Sequence, residues 1–488
     1  MSKTTTKQHI DPKLYADLQR PTSGASIKNY VAQVFAAFTY QSFGYVMMAS
    51  FLTFVYSEYL GVSSAAIAGV MSIGIIIDGI TDFLMGAVTD RVRTKYGKIR
   101  HWFLWMSVPL GISIMLIYMV PASASTTIKL VYAFIMYNLF CCLLTSIRIP
   151  AAAAPTLCTQ NDKVRGMMIW AGTIGNTGGT NITNWLVVPL VALFGGGLAG
   201  YRGASITMGF ITIVSGFLAF MLYHEMRLDG DWEDVDKTFM KTHNREKREN
   251  VFEQFKFLLG NKWWVIYTLS LLAGGISMGF GFGCMAYYLQ YVQGDMGLFG
   301  LFGTVLSIPM LVGCVVSIVL IQFVEARRLA VILYGLQAVA SVCAFIFGGQ
   351  GGSLTAVLVF LGIKCFCDGC IGPARGIMIT RIIDYGEWKN GVRQEGLCNA
   401  GQSVMGKIGS AIATATMGFV LARLGYEGAG VMPQPAIDAL DFLYLGVPAI
   451  AAVVTFLIFL FMRLDDKTSA RYRKEIDERI AAATAEEA

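Results

Sequence analysis

The chain has 488 residues, of which 55% are hydrophobic and 14% charged, and its formal net charge is +6. Soluble domains carry roughly 25% charged residues, so a chain this long and this poor in charge cannot clothe a water-soluble core. The small excess of bases needs no nucleic acid to explain it. Ten cysteines fall mostly inside apolar runs, as at Cys141, Cys142, Cys284, Cys314 and Cys343, which argues against a disulfide framework. In Cys365-Phe-Cys367-Asp-Gly-Cys370, Cys365 and Cys367 point in different directions on a helix and none of the four histidines lies near, so packing is expected there and not a metal.

Residues 1–27 are polar, with Lys3, Lys7, Asp11 and Lys13 and no apolar core. They read as a cytoplasmic N-terminal tail and not as a cleaved signal peptide. Apolar blocks then recur at 28–57, 63–90, 102–120, 127–154, 167–195, 203–225, 263–292, 298–323, 328–347, 353–383, 397–424 and 439–463. A spanning helix needs about 20 such residues to cross a hydrocarbon core roughly 30 Å thick. The charged stretch 226–262, with Arg227, Lys237, Lys241, Arg245, Lys247 and Arg248, divides the blocks six and six. The expected fold class is an all-α polytopic membrane protein of twelve transmembrane helices. It has one six-helix bundle over 28–225, a cytoplasmic middle loop over 226–262, a second bundle over 263–463 and a cytoplasmic tail over 464–488. Two six-helix halves around a central cavity are the major facilitator architecture. Loops 91–101, 158–166, 324–328 and 384–396 and the tail after 463 are basic, whereas the alternate loops carry almost no bases apart from Arg202. The positive-inside rule then puts both termini in the cytoplasm.

Ionisable residues inside these blocks carry the functional signal, because a carboxylate at the bilayer centre costs at least about 2.5–3.5 kcal/mol. Asp78 and Asp82 stand four residues apart in the second block, on one helix face. With the Thr81 hydroxyl they offer oxygens to Na⁺, Li⁺ or a proton; the alternative is pairing with a base elsewhere in the bundle. In the eleventh block Asn399, Ser403, Lys407 and Ser410 recur at helical spacing with Gln402 beside them. Lys407 is expected either as counter-charge to the two carboxylates and donor to substrate, or as a snorkelling interfacial lysine. Thr173, Thr177, Thr180 and Asn184, flanked by Asn176 and Asn181, form a polar stripe in the fifth block, suited to a sugar or to interhelical bonding. Tyr40, Gln41, Ser42 and Tyr45 in the first block add aromatic rings beside hydroxyls. Arg148 and Arg375 need anions at membrane depth, supplied by Asp78 or Asp82, by the substrate, or for Arg148 by the interface; Lys364 and Asp368 suggest an i,i+4 ion pair.

Three runs then resemble a known family. Asp78–Arg100 is similar to the second helix and adjoining loop of the glycoside–pentoside–hexuronide cation symporters. Ile383–Lys389, with Val392-Arg393, resembles their loop before the eleventh helix; Gly406–Ala411 resembles the stretch after that loop, and Tyr287–Asp295 adds a third match. The resemblance implies that Asp78, Thr81 and Asp82 bind the coupling cation, as ligands to Na⁺ if sodium is used, with Lys407 nearby. It also implies that Asp90, Arg91 and Arg93 belong to a gating loop. Where the family's melibiose carrier has carboxylates in its first and fourth helices, an arginine in its fifth and a tryptophan in its fourth, this sequence has Ser42, Arg148, Thr173 and Ala152. The cation half is kept and the sugar half rebuilt.

The expected function is secondary active transport: symport of a sugar or glycoside with Na⁺ or H⁺, the substrate being an anionic one such as a hexuronide if Arg148 meets it. The residues expected at the substrate or in coupling are Ser42, Tyr45, Arg148, Thr173, Asn176, Arg375, Asn399, Gln402, Ser403 and Lys407. Two alternatives share the fold: a cation-independent facilitator in which Arg148 replaces the ion, and a lipid or lysolipid carrier. No nucleophile–base set, phosphate-cradling glycine loop or metal cluster supports an enzyme. A monomeric multi-pass protein of the cell membrane is expected, partnered by a small carbohydrate, a monovalent cation and the lipid bilayer, with no cofactor beyond the coupling ion.

Overall fold

The computed structural model describes residues 27–223 except 93, 95, 97–98 and 159–161, and residues 258–478 except 350–351, 391–394, 427–431, 463, 465–467 and 477. Among them the architecture is helical throughout. In chain order the long rods are α1 (27–58), α2 (Ser64–Arg91), α3 (Arg100–Leu116), α4 (Thr126–Cys158), α5 (Asp162–Leu193), α6 (Gly197–Leu222) and α7 (262–292). They continue with α8 (Phe299–Phe323), α9 (Ala326–Gly348), α10 (Leu354–Asn390), α11 (Glu395–Arg423) and α12 (434–461).

Among the described residues, nine of these rods are long and apolar enough to cross a membrane. The other three fall short for visible reasons. α3 has only 17 residues, α5 carries the threonine and asparagine stripe, and α1 carries Thr39, Tyr40, Gln41 and Ser42 midway. α1 also contains π-helical turns at Phe38–Ser42 and Met47–Phe51. Similar π turns occur at Tyr288–Val292 in α7 and Phe442–Gly446 in α12. Such turns widen the helix locally and often sit where side chains are aimed at a function. The outer faces present isoleucine, leucine, valine and phenylalanine to the surroundings; Ile80 is 58% exposed and Phe323 80% exposed.

The halves meet along α2 with α11, α5 with α8, and α1 with α7. Small residues make these approaches close, as expected where lipid removes any hydrophobic drive between helices. A Cβ on Gly418 of α11 would lie 2.3 Å from the Ala68 Cβ and 2.6 Å from the Ser64 carbonyl oxygen of α2. One on Gly303 of α8 would lie 2.1 Å from Asn184 Nδ2 of α5.

Two segments differ from their sequence reading. Residues 384–390, expected as loop, continue α10. A short helical stretch within 468–476 docks on that extension through Tyr385, Trp388 and Tyr472, with Arg473 3.7 Å from Asp384 and the Trp388 indole donating to Glu475 at 2.6 Å. The extension is polar on its free side and aromatic on the covered one, a pattern that block-hydropathy reading misses. The N-terminal tail and nearly all of the 226–262 loop lie outside the described residues.

Candidate functional site

Asp78 and Asp82 fall midway along α2, and four residues of helix bring their carboxyl groups to one face. Arg148 lies ten residues before the end of α4, roughly 15 Å inside it at 1.5 Å per residue, so it is at the same depth and not at an interface. Its Nη2 is 2.7 Å from both Asp82 Oδ1 and Oδ2. Lys407, twelve residues into α11 of the other half, puts Nζ 2.7 Å from Asp78 Oδ2 and 2.5 Å from Asp82 Oδ2. The three side chains of the Lys407 contacts are only 15–17% exposed. Two acids and two bases thus form one compact, charge-balanced cluster across the seam between the halves.

The hydroxyl in this cluster is not the expected one. Thr81 donates to the backbone oxygen of Asp78 at 3.0 Å, turning back onto its own helix. Thr145 of α4 instead lies 3.2 Å from Asp78 Oδ1 and 2.8 Å from Asp82 Oδ1. Sequence reasoning passed over Thr145, although its signal was present: it stands three residues before Arg148 and shares its face. Chemically, the arrangement is four carboxylate oxygens and a hydroxyl, a hard oxygen set, with the oxygens already contacted by an ammonium, a guanidinium or the Thr145 hydroxyl. A mobile cation could enter only by displacing one of those donors.

The other expected residues are spread around this centre. Tyr45 packs edge-on to Phe282 of α7, ring centroids 5.8 Å apart. In α5 the threonines bond back to their own helix, Thr173 to Ile169 O at 3.1 Å and Thr180 to Asn176 O at 2.9 Å. These two hydroxyls donate within their own helix and retain oxygen lone pairs for an acceptor role. Gln402 is half-buried and Ser403 exposed on α11, on turns preceding Lys407. Arg375 is separate from the acid pair; it lies 3.3 Å from Asp368. The expected Lys364–Asp368 pair does not form, because Lys364 reaches across to Ser277 of α7 at 3.3 Å. Ser42 and Asn399 lie in α1 and α11, and Asp90 and Arg91 end α2, but their side chains lie outside the described residues, as does Arg93 altogether.

A second seam contact, absent from the sequence reading, closes one end of the bundle. At the end of α1, the Glu58 carboxylate accepts from the hydroxyls of Tyr291 in α7 and Tyr426 beyond α11. Next to it, Ser57 and Tyr287 hydroxyls are 2.5 Å apart. Trp185 of α5 donates to Thr304 of α8 at 2.7 Å, and Ser72 of α2 to Ala411 O at 3.0 Å. Among the described residues, every one of these bonds between the halves lies on the side of the acid cluster away from the basic loops.

With that geometry in view, the family description "MFS/sugar transport protein" matches residues 32–466, nearly the whole chain. The chain belongs to this family. Among its relatives, the inner membrane symporter YicJ of Escherichia coli is 27% identical over 412 residues, covering 84% of this chain and 85% of that protein. The isoprimeverose transporter of Lactiplantibacillus pentosus is 24% identical over 426 residues, 86% and 85% of the two chains. The glucuronide carrier protein homolog of Escherichia coli is 26% identical over 450 residues, 90% and 93%. Among solved structures, the inward open conformation of the xylose transporter XylE from E. coli superposes with a TM-score of 0.62 at 12% identity over 92% of this chain and 99% of that one, a likeness of fold. The protein is a multi-pass cell-membrane transporter of the glycoside–pentoside–hexuronide symporter group within this family, and not an enzyme.

Proposed function

We propose that this transporter carries a sugar or glycoside by alternating access of two six-helix halves. In this reading twelve helices span the membrane, both termini are cytoplasmic, and transport is coupled to a monovalent cation, Na⁺ or H⁺. The observation that carries the proposal is the seam cluster. The acids Asp78 and Asp82 belong to one half and the Lys407 that holds them to the other. A cation arriving at the carboxylates competes with Lys407, so its binding changes a bond between the halves. That is what coupling requires, since a ligand shifts a conformational equilibrium only through contacts that differ between its states. With the basic loops inside, the Glu58–Tyr291–Tyr426 end is extracellular, and the described arrangement is shut to the outside while Lys407 occupies the acids. Substrate would meet the α5 stripe, Tyr45, Gln402 and Ser403 on the open side.

The second reading is a facilitator, favoured by one specific fact: Arg148 and Lys407 already balance both acids. A lipid carrier fits less well, because four charged side chains at the seam leave no continuous apolar path. The two leading readings separate in proteoliposomes. Uptake of radiolabelled glycosides, pentosides and hexuronides is measured with and without imposed Na⁺ and pH gradients. Accumulation of one sugar class only under a cation gradient supports symport. Equal uptake without any gradient refutes coupling, and failure of every sugar refutes the carbohydrate reading.

Arg148 also bears on substrate charge. Its guanidinium is engaged by both oxygens of Asp82, so a hexuronide would have to find its counter-charge on another residue.

A further inference from the structure

Lys364, Asp368 and Arg375 recur along α10 at steps of four and seven residues, which stacks them on one face with Gly372 between. This face is open. Asp368 and Arg375 side chains are 38% and 32% exposed, and a Cβ on Gly372 or Gly376 would meet nothing within 4 Å. The adjoining face, with Cys367, Cys370, Ile371, Ala374 and Met378, is fully packed. Three charged residues on an open face partway along a membrane helix imply water there and not hydrocarbon.

The depth of Lys364 is set by its partner. Ser277 lies two residues after Gly275, about 3 Å along α7 at 1.5 Å per residue. Gly275 in turn packs against Gly406, the neighbour of Lys407: a Cβ at Gly275 would lie 2.2 Å from the Gly406 carbonyl oxygen. Lys364 therefore sits at the level of the acid cluster, on the C-terminal half.

The charges of the seam cluster and of α10, taken together, do not balance. The bases are Arg148, Lys364, Arg375 and Lys407 and the acids Asp78, Asp82 and Asp368, so four minus three leaves +1. The pairing identifies which base is left over. Lys407 and Arg148 are matched to the α2 acids and Arg375 to Asp368, while among the described residues Lys364 meets only the neutral Ser277 hydroxyl. A half-buried ammonium without a counter-charge is costly, and a ligand anion relieves that cost.

We infer that Lys364 is the specificity-determining cation of the substrate site and selects a sugar bearing an acidic group, a carboxylate or sulfonate. The inference rests on the carbohydrate-transport reading and names the substrate class within it. The acidic group would take the place of Ser277 as Lys364's main partner, with the sugar ring extending toward the seam.

The test uses purified full-length protein, its Lys364→Gln and Lys364→Arg variants, and matched methyl glycosides of glucose, galactose and mannose in which C6 is either a carboxylate or a hydroxymethyl carbon. Binding is titrated at constant ionic strength, with acetate and sulfate as separate arms. Wild type should bind the acidic member of at least one pair about 10-fold or more tightly than its neutral partner, the scale of one charge-assisted hydrogen bond. Lys364→Gln should bring that ratio to within about 2-fold of unity, and Lys364→Arg should keep most of it. Equal binding of both members, a preference that survives in Lys364→Gln, or equal competition by acetate or sulfate overturns the inference while leaving sugar transport standing. If no member of any pair binds, the carbohydrate reading falls and takes the inference with it.

Discussion

Replacing Lys407 with methionine is the most informative single perturbation of the seam. The change nearly keeps the length of the side chain and removes its charge. Asp78 then has no cation in contact among the described residues, and Asp82 keeps only Arg148. The groups are 15–17% exposed, so solvent screens them little. Removing one partner of a buried ion pair costs about 3–5 kcal/mol because the orphaned charge stays behind. Taking ~2.1 cal/mol/K per residue for the entropy of unfolding gives about 1 kcal/mol/K for this chain, so the melting temperature should fall by about 3–5 °C. The assay is thermal unfolding of detergent-purified protein for wild type, Lys407→Met, Asp78→Asn and the double variant. Because the second change removes the orphaned charge, the double variant should melt above Lys407→Met. Effects of the two single changes that simply add within about 0.5 kcal/mol would refute a direct Lys407–Asp78 contact.

The same geometry gives further expected outcomes. Arg148 touches Asp82 through a single nitrogen rather than both arms of its fork, so Arg148→Lys should retain most transport while Arg148→Gln loses it, read as initial uptake rate in vesicles. Glu58→Gln weakens two bonds between the halves at the end of α1; at about 1.5–3 kcal/mol for bonds to a charged group, hydrogen exchange over 284–293 should speed up by roughly tenfold or more. Gly303→Val puts a Cβ where Asn184 stands, 2.1 Å away, and should block closure of α5 on α8, abolishing uptake while the protein still purifies as a monodisperse species. Asp368→Asn frees Arg375 and adds a second unmatched base to α10, so acidic glycosides should bind more tightly than to wild type in the same titrations.

Most of the fold was legible because hydropathy reports length and burial in lipid directly. The blocks around α2, α4 and α6 end within a few residues of the observed helices. What it missed were features that do not depend on mean apolarity. The 384–390 extension is amphipathic and finds its cover in a segment more than 80 residues away. The site was legible wherever a charge sat in the wrong solvent, which singled out Asp78, Asp82, Arg148 and Lys407. The partners of those charges were not, since pairing is set by which helices touch. Lys364 was read with Asp368 because they are neighbours along one helix, yet Ser277 on α7 takes its ammonium. Thr81 and Thr145 show the same limit: a hydroxyl next to an acid in sequence can turn back on its own backbone while one from another helix fills the place. Glu58 escaped notice because a single acid at a helix end is ordinary until two tyrosines from the other half are found on it.

In the proposed mechanism, coupling turns on the acids of α2 being the place where a cation trades with Lys407. The direct measurement is accumulation of the transported sugar in proteoliposomes under an inward cation gradient, comparing wild type with Asp78→Asn and Asp82→Asn. Loss of concentrative uptake in both variants is the predicted result. Concentrative uptake at the wild-type level in either one would contradict the mechanism.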